Sequence, residues 1–133
     1  MRTFDTAQTD FEQVGPITVA RWEQYRIGDH VMPFGAMWYS VPPATSSALD
    51  CHPELELSIV VSGTAHVEAN GAVTEVSAGN AFLLDSEEPH VIHNRAPNQL
   101  LTIFSGYWMP LGDEGSGNEP DSAAQPAPPQ FAS

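Results

Sequence analysis

The chain has 133 residues, of which 41% are hydrophobic, and this suits one domain with a single modest core. Its 17 acidic residues face only four basic ones, all of them arginine, so that the formal net charge is -13. A surface with so few cations cannot neutralise many phosphates, which argues against nucleic-acid binding and against adsorption to an anionic membrane.

Cysteine usage and the N-terminus predict a cellular location. Cys51 is the only cysteine, which excludes an internal disulfide, and residues 1–10 contain no apolar run typical of a signal peptide. We therefore expect a cytoplasmic protein. A packing role is expected for Cys51, because no pattern around it suggests a nucleophile.

The pattern along the chain predicts a small β domain between two irregular ends. Residues 1–14 are polar and unpatterned, and we expect them to be flexible. Short β-rich runs follow at 17–22, 35–41, 55–61, 65–69, 73–76, 80–84, 90–93 and 100–107. Asn70-Gly71 is typical of a type I′ hairpin because both residues tolerate positive φ. We predict one all-β sandwich or barrel over residues 15–111, followed by a disordered tail at 112–133, which is acidic and rich in Pro and Gly.

Two segments combine histidine, carboxylate and glycine at regular spacing. They are Asp50-x-His52-x3-Glu56-x6-Gly63 and Gly79-x5-Asp85-x4-His90-x3-Asn94. Two histidines and two carboxylates brought together from separate strands would make a divalent-metal site.

The two segments resemble the cupin superfamily over about residues 35–105. Members carry a first motif of Gly-x5-His-x-His-x3or4-Glu-x6-Gly and a second of Gly-x5-Pro-x-Gly-x2-His-x3-Asn. This chain departs from them at Ala44, Asp50, Asp85 and Glu87, which stand in place of Gly, His, Pro and Gly. The resemblance implies a single-domain double-stranded β-helix of the jelly-roll type. The motifs are also similar to the effector domain of AraC-type regulators, but the acidic tail follows here instead of a basic helix-turn-helix module.

The resemblance implies that His52, Glu56 and His90 bind one divalent metal per chain, which is Fe, Zn, Mn or Ni. Asp50 stands at the position of a family histidine and is either a fourth ligand or a general base, and Glu56 is the other candidate base. In a straight strand His52 and Glu56 lie about 13 Å apart at roughly 3.3 Å per residue, so the chain must bend at Pro53 for both to reach one ion. His93 has the opposite strand parity from His90 and is not expected to bind.

Three further side chains are candidates for a substrate pocket, namely Met37, Tyr39 and Phe104. Met37 and Tyr39 share one strand face, and Trp38 points to the other. The same side chains also suit a plain core or a dimer interface. His30 and His66 lie outside the motifs, and we interpret them as structural residues.

Two functions remain open. The first is a metal-dependent enzyme acting on a small organic molecule, with dioxygenases, isomerases, lyases, polyketide cyclases and N-N bond-forming proteins among the cupins that it resembles. The second is a binding or sensing module without catalysis. The intact ligand set favours the enzyme, and the similarity of both motifs to AraC-type effector domains favours the sensor. We also expect a homodimer, because the apolar face of 55–61 lies opposite Glu56.

Overall fold

The computed structural model of the chain describes residues 1, 3–24 and 32–111. In these ranges the 3₁₀ helices are Thr6–Gln8 and Trp22–Gln24. The strands are β1 (Glu12–Val14), β2 (Ile17–Arg21), β3 (Gly35–Val41), β4 (Thr45–Ser46), β5 (Leu55–Ser62), β6 (Thr64–Ala69), β7 (Ala72–Ser77), β8 (Ala81–Leu84), β9 (His90–Asn94) and β10 (Leu101–Trp108). The predictions for His30 and for the tail at 112–133 lie outside the described residues.

The strands form two antiparallel sheets around one core. The first sheet has the order β1-β2-β3-β10-β5-β8, and the second has the order β4-β9-β6-β7. Alternation decides which side chains enter the core, since β5 buries Glu56, Ser58 and Val60 while Leu57 and Ile59 face outward. Apolar side chains of both sheets meet in a single cluster that includes Val19, Val41, Val60, Val67, Val76, Ile92 and Ile103. The all-β prediction is confirmed.

All eight predicted strands are present, and two short ones were not predicted. β1 and β4 have three and two residues and show no alternation that a sequence pattern would detect. The segment 1–14, expected to be flexible, contains the first 3₁₀ helix and β1, which pairs with β2. Phe4 packs on Trp22 with ring centroids 4.8 Å apart. None of the helices in the described ranges is long and apolar enough to cross a membrane.

The four glycine positions of the two motifs share one backbone property. Gly63 and Gly79 both have φ of 90°. The two residues that replace glycine also have left-handed backbone conformations, with φ of 52° at Ala44 and 61° at Glu87. At position 87 this conformation directs the backbone N–H to the carbonyl of His52 at 2.7 Å. The first motif is therefore tied to the second through a residue that is strained in this chain.

Glycine at these two positions should stabilise the protein. We expect Ala44→Gly and Glu87→Gly each to raise the free energy of unfolding by about 0.5–1 kcal/mol, because release of left-handed strain outweighs the added entropy of the unfolded chain. Urea unfolding measures the change. Ala81→Gly is the matched control, since Ala81 lies in β8 without positive φ and glycine there should be destabilising. A loss of stability in both test variants would contradict the prediction.

Candidate metal centre

Two chain segments bring the charged motif residues to one end of the core. Asp50 forms an isolated antiparallel bridge with His90, in which Asp50 N–H donates to His90 O at 3.0 Å and His90 N–H donates to Asp50 O at 2.9 Å. The chain bends at Pro53 before β5 begins at Leu55. His52 Nε2 and Glu56 Oε1 lie 3.1 Å apart as a result, so the predicted bend is confirmed.

Both histidines of the motifs have their rings oriented by backbone carbonyls. Nδ1 of His52 lies 3.1 Å from the carbonyl oxygen of Glu54, and Nδ1 of His90 lies 2.8 Å from that of Glu88. A carbonyl oxygen only accepts, so each Nδ1 carries the proton and donates. Nε2 is then the nitrogen that faces an ion, the arrangement usual for metal-binding histidines, and in His52 it must first give up the proton that it shares with Glu56 Oε1 at 3.1 Å.

Asp50, His52 and His90 each offer one ligand atom, and these atoms lie within 4.8 Å of one another. All three side chains are buried. Two atoms that each bind one ion at about 2.1 Å are at most about 4.2 Å apart, so a small contraction would complete the site. Asp50 Oδ1 accepts from Cys51 N–H at 2.9 Å, whereas Oδ2 is buried without a hydrogen-bond partner. A buried orphan oxygen beside two imidazole nitrogens fits a divalent cation.

Glu56 lies beside this group but is not one of the three converging residues. Its Oε2 accepts from the hydroxyl of Ser58 at 3.1 Å and from that of Ser105 at 2.9 Å, and the two hydroxyls lie 2.7 Å apart. These residues come from the neighbouring strands β5 and β10, and none is more than 1% exposed. The carboxylate of Glu56 is thus held by hydroxyl donors on one side and by His52 on the other.

Burial and charge shift three pKa values at this end of the core. Burial raises the pKa of Asp50 above its usual value, and the charges of His52 and His90 oppose this only partly. For His52 burial lowers the pKa, but the hydrogen bond and charge of Glu56 outweigh it, so the net direction is upward. Burial and then the Glu56 charge raise the pKa of Tyr39 well above 10.0, and its hydroxyl stays protonated at neutral pH.

The three candidate pocket residues lie on opposite faces of the first sheet. Met37 and Tyr39 are fully buried and face inward, and Tyr39 interacts with Ser58 and Ser105. Phe104 pairs with Trp38 across β10 and β3, and the two rings are 5.5 Å apart on the outer face. This corrects the expectation for Phe104, because strand parity separates it from Tyr39.

The other described histidines lie away from the centre, and the side chain of Cys51 points away from it. His93 Nε2 is 2.9 Å from Glu68 Oε1, and His66 Nε2 is 3.3 Å from Glu75 Oε2, both on the outer face of the second sheet. Cys51 is exposed, so the expected packing role was wrong. Sequence reasoning missed Ser58 and Ser105, although the inward parity of Ser58 with Glu56 was a usable signal.

A family model described as "Cupin domain" matches residues 37–104. The chain belongs to the cupin family. The asparagine of the second motif has a structural role. Asn94 Nδ2 donates to the carbonyls of Val41, Pro42 and Gln99 at 3.0, 3.1 and 2.7 Å, and so joins β9 to the end of β3 and to the segment before β10. No curated protein matches the chain.

Several solved cupins share the fold at low identity. The polyketide cyclase RemF from Streptomyces resistomycificus is 19% identical with a TM-score of 0.67, over 80% of this chain and 78% of that one. A predicted oxalate decarboxylase from Thermotoga maritima is 20% identical with a TM-score of 0.64, over 80% and 97%. The cupin domain of an XRE-family transcriptional regulator from Enterobacter cloacae is 15% identical with a TM-score of 0.59, over 72% and 99%. These likenesses show the fold alone.

Proposed function

We propose that this cupin is a metal-dependent enzyme that acts on a small organic molecule, with one divalent ion held by Asp50, His52 and His90. The observation that carries the proposal is the convergence of their ligand atoms within 4.8 Å, together with the buried orphan oxygen of Asp50. Two imidazoles and a carboxylate suit Fe(II), Zn(II), Mn(II) or Ni(II), and a bound ion would supply Lewis acidity or, as Fe(II), redox chemistry.

The protein's own residues would position and deprotonate the substrate. Glu56 is the proposed proton acceptor, because the hydroxyls of Ser58 and Ser105 orient its carboxylate next to His52. It is also the expected further ligand if the carboxylate turns toward the ion. The hydroxyl of Tyr39, which stays protonated, would donate to an oxygen within this polar cluster.

The alternative is a sensing cupin that binds an effector without chemistry. The likeness of its fold to the cupin domain of a transcriptional regulator favours this reading. A complete set of buried ligand atoms argues against it, because burying Asp50 and two imidazoles without an ion costs stability and gives a sensor no benefit. The small-molecule substrate and the cytoplasmic location stay predictions.

Metal uptake tests the proposal. After anaerobic reconstitution with Fe, Zn, Mn or Ni and removal of excess ion, elemental analysis should find about one ion per chain. Asp50→Ala then separates its two roles, since loss of the ion marks a ligand, whereas a retained ion with lost turnover marks a base. No stoichiometric ion with any of the four metals would overturn the enzyme proposal in favour of the sensor.

We also propose that two copies pair through the outer face of β5 and β8. Leu57, Ile59, Val61 and Leu83 are 40%, 39%, 50% and 53% exposed on this face, and Leu57 pairs with Leu83 across the two strands. Their apolar patch adjoins the aromatic cluster of Trp38 and Phe104, since Ile59 pairs with Phe104. A contiguous apolar patch of this kind usually marks an interface.

Sedimentation velocity at micromolar concentration should therefore give a dimer. The double variant Leu57→Glu with Leu83→Glu should sediment as a monomer, because four carboxylates would be buried in the pair. Val73→Glu is the matched control, since Val73 is 47% exposed on the other sheet. Monomeric wild-type protein would contradict the proposed pair.

A further inference from the structure

Glu54 is the least satisfied buried group near the proposed centre. Its side chain is 1% exposed, and neither carboxylate oxygen has a hydrogen-bond partner. It shares the inward parity of Glu56 and lies one residue before β5 begins. A buried carboxyl without a partner is costly, and native proteins keep few of them. The position therefore invites a role other than packing.

The carboxyl of Glu54 lies behind the ring of His52. Oε1 is 3.8 Å from Nδ1, and the backbone carbonyl of the same residue accepts the Nδ1 proton at 3.1 Å. Glu54 thus approaches the ring edge opposite Nε2, the nitrogen left for the ion. It does not enter the ligand group itself, which consists of Asp50, His52 and His90.

The two metal-facing histidines differ in this respect. His90 also donates Nδ1–H to a backbone carbonyl, that of Glu88 at 2.8 Å. Among the described residues, the histidines with a carboxylate oxygen within 4.0 Å are His52, His66 and His93, and His90 is not one of them. Negative charge beside Nδ1 is therefore specific to His52 within the centre.

We infer that Glu54 is a positioning residue that acts on the ion through His52. Its negative charge, next to the Nδ1–H that the carbonyl already holds, favours the tautomer protonated at Nδ1, so that Nε2 faces the ion once its proton has left, and it makes the imidazole a stronger donor. Groups that hydrogen-bond metal-binding histidines typically change metal affinity by about 10–100-fold, and the Glu54 carboxylate acts on the same nitrogen from 3.8 Å. The inference rests on the proposed function, because it requires that His52 binds an ion.

If Glu54 has only a structural role, its replacement should affect stability and not metal affinity. If the carboxyl is only a poorly satisfied core group, its replacement by an uncharged side chain should stabilise the protein and leave metal affinity unchanged. A positioning role predicts a lower metal affinity together with equal or greater stability in the presence of a chelator. The two roles thus differ in the metal affinity of the variant, which a purely structural role would leave unchanged.

Chelator competition with Zn²⁺ and with Co²⁺ should measure affinity in full-length wild type, Glu54→Gln and Glu54→Asp. We expect Glu54→Gln to bind both ions at least about tenfold more weakly, and Glu54→Asp, which withdraws the charge by one methylene, to fall between them. The Nδ1 proton resonance of His52 in the Zn²⁺ form should shift upfield in Glu54→Gln. Thermal unfolding with chelator should show no loss of stability in that variant.

Glu68→Gln is the matched control. It removes one negative charge at an exposed site where the partner is His93 and not His52, and it should bind both ions as wild type does. The Glu54 inference is overturned if wild type binds one ion and both Glu54 variants bind within twofold of the control. Wild type that takes up no ion overturns the proposed function and the inference with it. Should Glu54→Gln fail to fold, Glu54→Asp alone decides, by the same twofold limit.

Discussion

His52→Ala and His90→Ala are each expected to lower metal affinity by at least about a hundredfold. Either change removes one of the two nitrogen ligands, and the remaining carboxylate and single imidazole are too few to retain the ion. The apolar core of the two sheets does not include either side chain, so the β fold should persist. Isothermal titration with Zn²⁺ measures the affinity, and far-UV circular dichroism checks the fold.

His93→Ala is the control for this pair. His93 lies on β9 with His90 but has the opposite parity, and its Nε2 contacts Glu68 on the outer face. Its replacement should leave metal affinity within a factor of three of wild type. Retention of tight binding in either His52→Ala or His90→Ala would refute the proposed ligand set.

Opposite pH dependences are expected with and without the ion. The folded pKa of His52 is raised above 6.5, and that of Asp50 is raised above 3.8. A raised pKa means that the folded protein holds the proton more tightly than the unfolded chain. Each contribution to stability is then fully present below the unfolded pKa and is lost as the pH rises through the folded one. Without metal, the free energy of unfolding should therefore decrease as the pH rises. Asp50 causes the decrease that begins at about pH 4, and His52 causes the further decrease that begins at 6.5.

An ion competes for the same atoms, so its binding reverses the slope. Below the raised pKa of His52 one proton must leave for each ion bound, and affinity should weaken about tenfold per pH unit. Saturating metal should therefore stabilise the protein more at pH 8 than at pH 6. Thermal unfolding over this range, with Zn²⁺ or with a chelator, measures both slopes. Parallel slopes, or a metal affinity that does not change with pH, would count against His52 as a ligand.

The sequence by itself was enough for the class of fold and for the region of the chain that contains the candidate centre. Alternating β-rich runs and turn residues gave eight strands at nearly their final bounds, and Asn70 and Gly71 have the positive φ that a type I′ turn requires. The resemblance implied His52, Glu56 and His90 as ligands and Asp50 as a possible fourth. In the structure Asp50 converges with the two histidines, and Glu56 lies beside them.

Only the tertiary structure decided which neighbours surround those residues. Ser58 and Ser105 are far apart in sequence and meet at Glu56 because β5 and β10 pair in one register. Phe104 faces outward for the same reason, since Ile103 and Phe104 are both apolar and the local pattern favours neither face. Register is a property of the assembled sheet, and a single strand does not encode it.

Local sequence also did not show the backbone strain at two motif positions or the burial of one carboxyl. Ala44 and Glu87 stand where the family motifs have glycine, and their left-handed φ belongs to the turn before β4 and to the turn between β8 and β9. Glu54 looks like one more acidic residue in an acidic chain, yet it is buried beside His52 without a hydrogen bond. Burial depends on every strand packed around a residue, so the cost of that carboxyl, and any function it serves, became visible only in the folded chain.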